Sequence, residues 1–432
     1  MIRGVRFFYN LLFPIVLLLL LPGFLIRMTR RGNYRHKFGQ RFGIYSAGVR
    51  EKIAGTNRVW VHAVSVGEVN IALKLIQSMR EADPELAFVL STTTSTGFKL
   101  AVSRKSAWLE PIYNPLDFYP VARRVVRLIR PRCLILVEAE IWPNILWEVR
   151  RMGAKAALVN ARLSPRSEKR YRAARWITAP VFNQLHLLCL QEPQDTKRWK
   201  SLGLDPAKLV LTGSIKFDDS ATAPRPLRDF WPVLEEIGVP KNTPILLGGS
   251  TFEGEELILA EVYKELRQSH PDLFLILVPR HHERAEMVAR QLEGAGLTVM
   301  RRTQPFAEGK PDVLLVDTTG ELAGWYLCAS VVFVGKSLCA KGGQNPAEPV
   351  TAGVPVIFGP HMQNFSTLVR AFLQVDGAIE VDDAHEIRNA IESLLANPAR
   401  RADMVANAAK CLEIHRGATQ RTIVELQSRI FS

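Results

Sequence analysis

Short apolar runs alternate with segments of helical period along most of this chain. Residues 59–63, 87–90, 134–137, 156–159 and 187–190 form continuous apolar runs, the pattern of strands buried on both faces of a parallel sheet. After the first of them, Val69, Ala72, Leu73, Ile76 and Met79 recur at helical spacing. They predict a helix over 69–81 with one face on the sheet. A break follows at 217–244, where Pro224, Pro226, Pro232, Pro240 and Pro244 crowd together. The alternation then resumes, with strands expected at 245–247, 273–278, 313–316, 331–334 and 355–358. Helical segments after Ala384 can close the chain back on itself.

Two rounds of αβ alternation predict two Rossmann-like, doubly wound α/β domains in tandem, facing each other across a cleft in a GT-B type architecture. The expected division is 46–218 for the first domain, 219–244 for a linker and 245–432 for the second. A cleft between two such halves is a usual home for glycosyl transfer.

Charge changes the picture at the N-terminus. The 432-residue chain carries a formal net charge of +14, yet no Asp or Glu precedes Glu51, while Arg3, Arg6, Arg27, Arg30, Arg31, Arg35, Lys37, Arg41 and Arg50 all do. Between those cations runs an apolar stretch from Leu11 to Ile26, interrupted by Pro14, Pro22 and Gly23. Together with Phe7, Phe8 and Tyr9 it approaches the roughly 20 residues that cross a bilayer. Arginines rather than a small-residue cleavage site follow it, so residues 1–45 read as a retained membrane-anchor helix with a basic flank. The heavier flank lies on its C-terminal side, which keeps the body of the protein on the cytoplasmic side of the inner membrane. An interfacial helix and a buried core helix are the alternatives. The basic balance is not accompanied by zinc-finger spacing or an aromatic-interleaved stripe, so a membrane rather than nucleic acid is the expected partner. Cys133, Cys189, Cys328, Cys339 and Cys411 lie far apart with no CxxC pair and read as reduced core residues.

Ligands in open α/β sheets bind where strands end, so the exits hold the candidate chemistry. Val66-Gly67-Glu68 opens a helix after the first strand. Glu68 can serve as a general base, or it can simply favour the helix dipole as a first-turn acid. The hydroxyl run Ser91–Gly97 suits sugar or phosphate binding and equally suits helix capping. Glu138 and Glu140 follow a buried strand one residue apart and suit either catalysis or bonding of the next loop. Lys216 closes the first domain, where a cation can steady a leaving phosphate. In the second half, Gly248-Gly249-Ser250-Thr251 repeats the first turn's placement, and Arg280 offers a charge to an anion. His281 and His282 are adjacent without a spaced third ligand, so they do not form a metal site. In the 341–349 segment the glycines admit close backbone approach, Asn345 can cap a helix, Pro346 fits its first turn and Glu348 can grip ribose hydroxyls. With no GxGxxG, Walker loop or spaced DxD motif, the chain points to a nucleotide-sugar enzyme working without a metal.

These segments, in order, are those of a known family. His62–Glu68, Val137–Asn144, Asn160–Ser164, Thr212–Asp218, Gly249–Thr251 and Gly342–Pro349 together resemble the bacterial 3-deoxy-D-manno-octulosonic acid (Kdo) transferases, and the match spans nearly the whole chain. The resemblance implies transfer of Kdo from CMP-Kdo to the lipid A precursor, lipid IVA, by an inverting displacement, with no metal and CMP-Kdo as donor substrate. It implies that Glu68 is the general base and that Glu138 and Lys216 stabilise the transition state. By the same resemblance CMP contacts Pro279 and Arg280, then Gly320, Glu321 and Leu322, then Asn345, Pro346, Ala347 and Glu348. Two positions depart from the family's usual pattern: Gln344 stands where His is common and Ala139 where Thr is common. Gln344 can donate and accept hydrogen bonds but carries no proton charge. A UDP-sugar transferase of envelope synthesis and a non-catalytic membrane-tethered binding protein are the competing readings.

Overall fold

The computed structural model describes residues 2–30, 37–55, 57–221, 228–305 and 309–431. Arg31 and Arg35 of the basic flank and Pro224 and Pro226 of the linker lie outside the described residues. The chain divides into two compact units, Met1–Asp219 together with Gly417–Ser432, and Ser220–Arg416.

The first unit is built on seven parallel strands: β1 (Arg58–His62), β2 (Ala87–Thr92), β3 (Leu109–Tyr113), β4 (Cys133–Val137), β5 (Lys155–Ala161), β6 (Leu187–Leu190) and β7 (Leu209–Leu211). Their spatial order is β3-β2-β1-β4-β5-β6-β7. The chain runs outward to β3, then returns to pair β4 on the free side of β1, so the order reverses at the carboxyl ends of β1 and β4. Alternating side chains feed two cores. Trp60 joins Leu134, Leu136 and Ile145 on one face, while Val59 and Val61 join Ile135, Val137, Ala72 and Ile76 on the other. Ile423, Leu426 and Ile430 fill the second of these cores, which is why the last segment returns to this unit.

The strand runs read from the sequence all become strands, but β3, β7 and two short strands of the second unit are additional. The apolar run of β3 is interrupted by Glu110 and Pro111, tolerated because β3 is an edge strand and Lys105 meets the Glu110 carboxylate at 2.8 Å.

The second unit also has seven parallel strands: β8 (Ile245–Thr251), β9 (Phe274–Pro279), β10 (Val299–Arg301), β11 (Val313–Leu315), β12 (Val331–Val334), β13 (Val356–Phe358) and β14 (Ile379–Glu380). Their order, β10-β11-β9-β8-β12-β13-β14, reverses between β8 and β12.

The N-terminal segment expected to be an anchor is a helix over Ile2–Arg30. Among the described residues no helix is long and apolar enough to cross a membrane. In the first turns of the N-terminal helix polar side chains pair with the first unit. Arg6 pairs with Glu148 at 2.6 Å, Tyr9 donates to Asp117 at 2.8 Å, and Asn10 and Asn144 exchange amide hydrogen bonds at 3.1 and 2.8 Å. Phe7, Phe8, Leu11, Leu12, Ile15, Leu18 and Leu19 are exposed on the same helix. The cysteines are all free, as expected, but Cys339 is exposed and Cys411 only half-buried, so those two are not core residues.

Candidate active site

In the first unit the strand-order reversal gathers the predicted groups. Ser65 caps the helix Val66–Ala82, and Glu68 in its first turn folds back on the cap. Ser65 Oγ donates to Glu68 Oε1 at 2.9 Å and the Val64 amide donates to Oε2 at 2.8 Å. The first-turn acid is therefore a capping group, closely related to the Ser-x-x-Glu box. It is also largely buried, and that burial raises its pKa despite the hydrogen bonds from Val64 and Ser65. A carboxyl moved toward neutrality is better matched to taking a proton from a hydroxyl.

Glu138 leaves β4 with φ of 64°, a left-handed conformation rare for a side chain other than Gly or Asn. Burial raises the Glu138 pKa and the Glu68 charge raises it further, while Arg162 and Lys216 oppose the rise. Glu140 is raised by burial and then by Glu68. Burial lowers the Lys216 pKa, with Glu138 pulling it back up. Three acids and two cations thus share one electrostatic neighbourhood, and Arg162 is a member that its place in the sequence left without a role. Its signal was the Asn160-Ala161-Arg162 segment at the exit of β5.

Lys216 is held by its backbone. Asn160, at φ 51°, accepts the Ile215 amide on Oδ1 at 2.9 Å, and its own carbonyl accepts Gln191 Nε2 at 2.7 Å. From the other side, Asp218 accepts the amides of Gly417 at 2.7 Å and Thr419 at 2.9 Å, and Arg421 binds the Thr212 carbonyl at 2.8 Å. The C-terminal segment thereby brackets the turn that carries Lys216.

His62 ties the two exits together. The indole N–H of Trp142 donates to His62 Nε2 at 3.0 Å. Since indole is only a donor, Nε2 is an acceptor and the ring proton sits on Nδ1, 2.9 Å from Ser91 Oγ. Burial pushes the imidazole down to about 4, so it is neutral near pH 7. Part of the hydroxyl run bonds internally: Ser91 serves this network, while Thr92 and Thr94 donate to the Val64 carbonyl at 3.2 and 3.0 Å.

In the second unit Pro279 ends β9 and the Arg280 amide bonds the Thr251 carbonyl at 3.0 Å. Gly320, at φ 82°, turns the chain into Glu321 and Leu322. Glu321 is engaged by Thr318 Oγ1 and lies 3.7 Å from Arg228 and 3.8 Å from Arg302. Asn345 accepts the Ala347 amide at 3.1 Å and donates to Glu348 at 2.9 Å. Crowding by surrounding protein raises the Glu348 pKa, while the Asn345 hydrogen bond and the Arg280 charge lower it, so Arg280 and Glu348 belong to one site. The expectation that Pro346 opens the helix is corrected: the helix is Ala347–Thr351, with Pro346 just before it. At five residues its dipole is a minor asset for an anion.

Glu255 was invisible in the sequence. Fully buried, it accepts four amides, from Phe252 (2.8 Å), Lys336 (2.7 Å), Ser337 (2.9 Å) and Leu338 (3.0 Å), and so locks the exits of β8 and β12 together. Its only linear signal was a glutamate directly after the turn residue Gly254.

Two parallel-sheet Rossmann-like units, each with polar groups gathered where strand order reverses, place the chain in the architectural class of the GT-B glycosyltransferases. The MurG structure of Acinetobacter baumannii shares this fold at 14% identity, with a TM-score of 0.55 over 87% of this chain and 100% of its own. The family model for 3-deoxy-D-manno-octulosonic-acid transferase (kdotransferase) matches residues 36–219. The 3-deoxy-D-manno-octulosonic acid transferase of Haemophilus influenzae is 31% identical over 97% of both chains. That of Bordetella pertussis is 36% identical over 93% of this chain and 94% of its own. The chain belongs to the Kdo transferase family and is a glycosyltransferase.

Proposed function

We propose that this protein moves Kdo from CMP-Kdo onto the lipid A precursor, lipid IVA, at the cytoplasmic face of the inner membrane. The observation that carries the reading is the electrostatic grouping of buried Glu68, half-buried Glu138 and Lys216, in which both carboxyls are raised toward neutrality. In this reading the acceptor hydroxyl gives its proton to Glu68 as its oxygen attacks the anomeric carbon of Kdo from the face opposite CMP. The bond to the phosphate oxygen breaks, CMP leaves with the electron pair, and the configuration inverts. Glu138 and Lys216 stabilise charge that develops between sugar and leaving group. Pro279 and Arg280, Gly320 to Leu322, and Asn345 to Glu348 hold CMP.

The N-terminal helix supports an interfacial attachment. Its polar side chains are docked on the first unit while its aromatic and leucine side chains remain exposed, the arrangement of a helix lying in the headgroup plane. That placement would bring the site to an amphiphilic acceptor.

Incubation of the protein with CMP-Kdo and a tetraacylated lipid A precursor, read by mass spectrometry of the lipid, tests the reaction. Lipid carrying one or more added Kdo masses is the expected result. Unchanged lipid, from protein that binds CMP, would reject this acceptor; binding of UDP-sugars in place of CMP would reject the donor. With side-chain cations supplying the charge stabilisation, turnover is expected to be unchanged in EDTA, and loss of turnover restored by a divalent ion would overturn the metal-free step.

A further inference from the structure

Resting on the donor-binding role just proposed for the second unit, a further cation belongs to that site. We propose that Lys336 is a donor-anion contact, its ammonium binding an oxyanion of the nucleotide sugar, either the phosphate or the sugar carboxylate.

The backbone is the first observation. Lys336 follows β12 with φ of 57°, in the left-handed region where glycine is at ease and lysine is not. Non-glycine residues persist there only when their surroundings hold them, and such positions concentrate at ligand sites. Here the holding is explicit. The Lys336 amide donates to buried Glu255 at 2.7 Å, and its carbonyl accepts the Gly343 amide at 2.9 Å. Neighbouring Gly335 is packed tightly against β8: a Cβ on it would lie 2.4 Å from the Ser250 carbonyl oxygen. Ser250 is itself at φ 53°, so two strained residues meet where strand order reverses.

The side chain is the second observation. Its ammonium lies 5.2 Å from the centre of the Phe252 ring, and Phe252 meets the His281 ring edge-on at 5.6 Å, one residue from Arg280. A Cβ placed on Gly342 would sit 3.8 Å from Lys336 Cε, so the stem runs beside the glycines of the 341–349 loop. Among the described residues no carboxylate pairs with this ammonium; the Phe252 ring is what it touches. A half-buried cation, steadied on an aromatic face beside the 341–349 loop and with no carboxylate among the described residues to neutralise it, is poised to receive an anion. The same geometry explains why lysine is worth its strain at a position where glycine would fold more easily.

The test separates strain from binding. Lys336→Met keeps the strain and removes the charge; Lys336→Gly removes both. Titration calorimetry with cytidine and with CMP, and KM for CMP-Kdo, are measured on the full chain beside its melting temperature. If the phosphate is the partner, both variants bind CMP about tenfold more weakly while cytidine is unaffected. If the sugar carboxylate is the partner, CMP binding is unchanged and KM for CMP-Kdo rises about tenfold in both. In either case Lys336→Gly melts no lower than the wild type. Wild-type values for CMP and CMP-Kdo in both variants would overturn the proposal. So would losses confined to a Lys336→Gly variant that melts well below the wild type, the mark of a structural role. Failure of the wild type itself to bind CMP or CMP-Kdo would overturn the donor-site reading, and this inference with it.

Discussion

Glu68 is a capping group and, in the proposed reaction, the base, and two substitutions separate the two roles. Glu68→Gln keeps one acceptor oxygen, enough for the Val64 amide, and turns an NH2 donor toward the Ser65 hydroxyl oxygen, but cannot take a proton. It is expected to melt near the wild-type temperature while losing roughly 10²-fold or more in turnover, with CMP affinity retained. Glu68→Ala should lose the same turnover and also about 1 kcal/mol of stability with its cap. Near-wild-type turnover in a folded Gln variant would remove Glu68 from the role of base. The raised carboxyls also set a pH signature. Because ionised Glu68 and Glu138 are disfavoured by burial, the acid limb of the pH–rate profile should lie above the ordinary glutamate value of about 4.3. Lys216→Met removes a cation that favours ionised Glu138, so that limb should move further up, not down. His62, neutral from about 4 upward, contributes no limb of its own near pH 7.

At the scale of elements, the strand exits are where linear pattern and three-dimensional contact part company. Buried parallel strands announce themselves as apolar runs, so the central strands of both sheets were legible; edge strands such as β3, and β14 at two residues, carry too short or too interrupted a signal. Similarly, Ser65, Gly67 and Glu68 are legible as a strand-to-helix turn, whereas the link from Trp142 through His62 to Ser91 joins residues from three separate exits and has no linear signature. Asp218 shows how such links carry load. Its carboxylate accepts two amides of the C-terminal segment, and these bonds, with Lys74, outweigh burial and lower its pKa. A depressed native pKa stabilises the fold above the unfolded value of about 3.9, and that contribution is lost as pH falls through the native pKa. Asp218→Ala is therefore expected to cost about 1 kcal/mol or more at pH 7. The gap in melting temperature between wild type and variant should narrow in acid, and a gap independent of pH would show that the two amide bonds are not the source.

For the whole molecule, the proposed membrane attachment rests on the exposed apolar side chains of the N-terminal helix. Replacing Leu11, Leu12, Leu18 and Leu19 by Ser removes apolar groups that are exposed and so take no part in the folded cores. The melting temperature should stay unchanged while sedimentation with anionic phospholipid vesicles falls steeply, since each leucine that enters the membrane contributes roughly 1.5 kcal/mol or more. Full retention on vesicles would place membrane contact elsewhere.

By itself the sequence determined the two rounds of αβ alternation, the parallel character of the central strands and the family, because each is written in local periodicity or in short contiguous motifs. Only the tertiary structure decided that Ile423, Leu426 and Ile430 complete the first unit's core, that the N-terminal helix docks through Arg6, Tyr9 and Asn10, and that Glu255 and Asp218 brace turns distant in sequence. Those outcomes depend on pairing buried polar groups and filling apolar volume between segments up to hundreds of residues apart. Hydropathy and spacing describe a residue's own neighbourhood along the chain and hold no record of which distant partner will satisfy it.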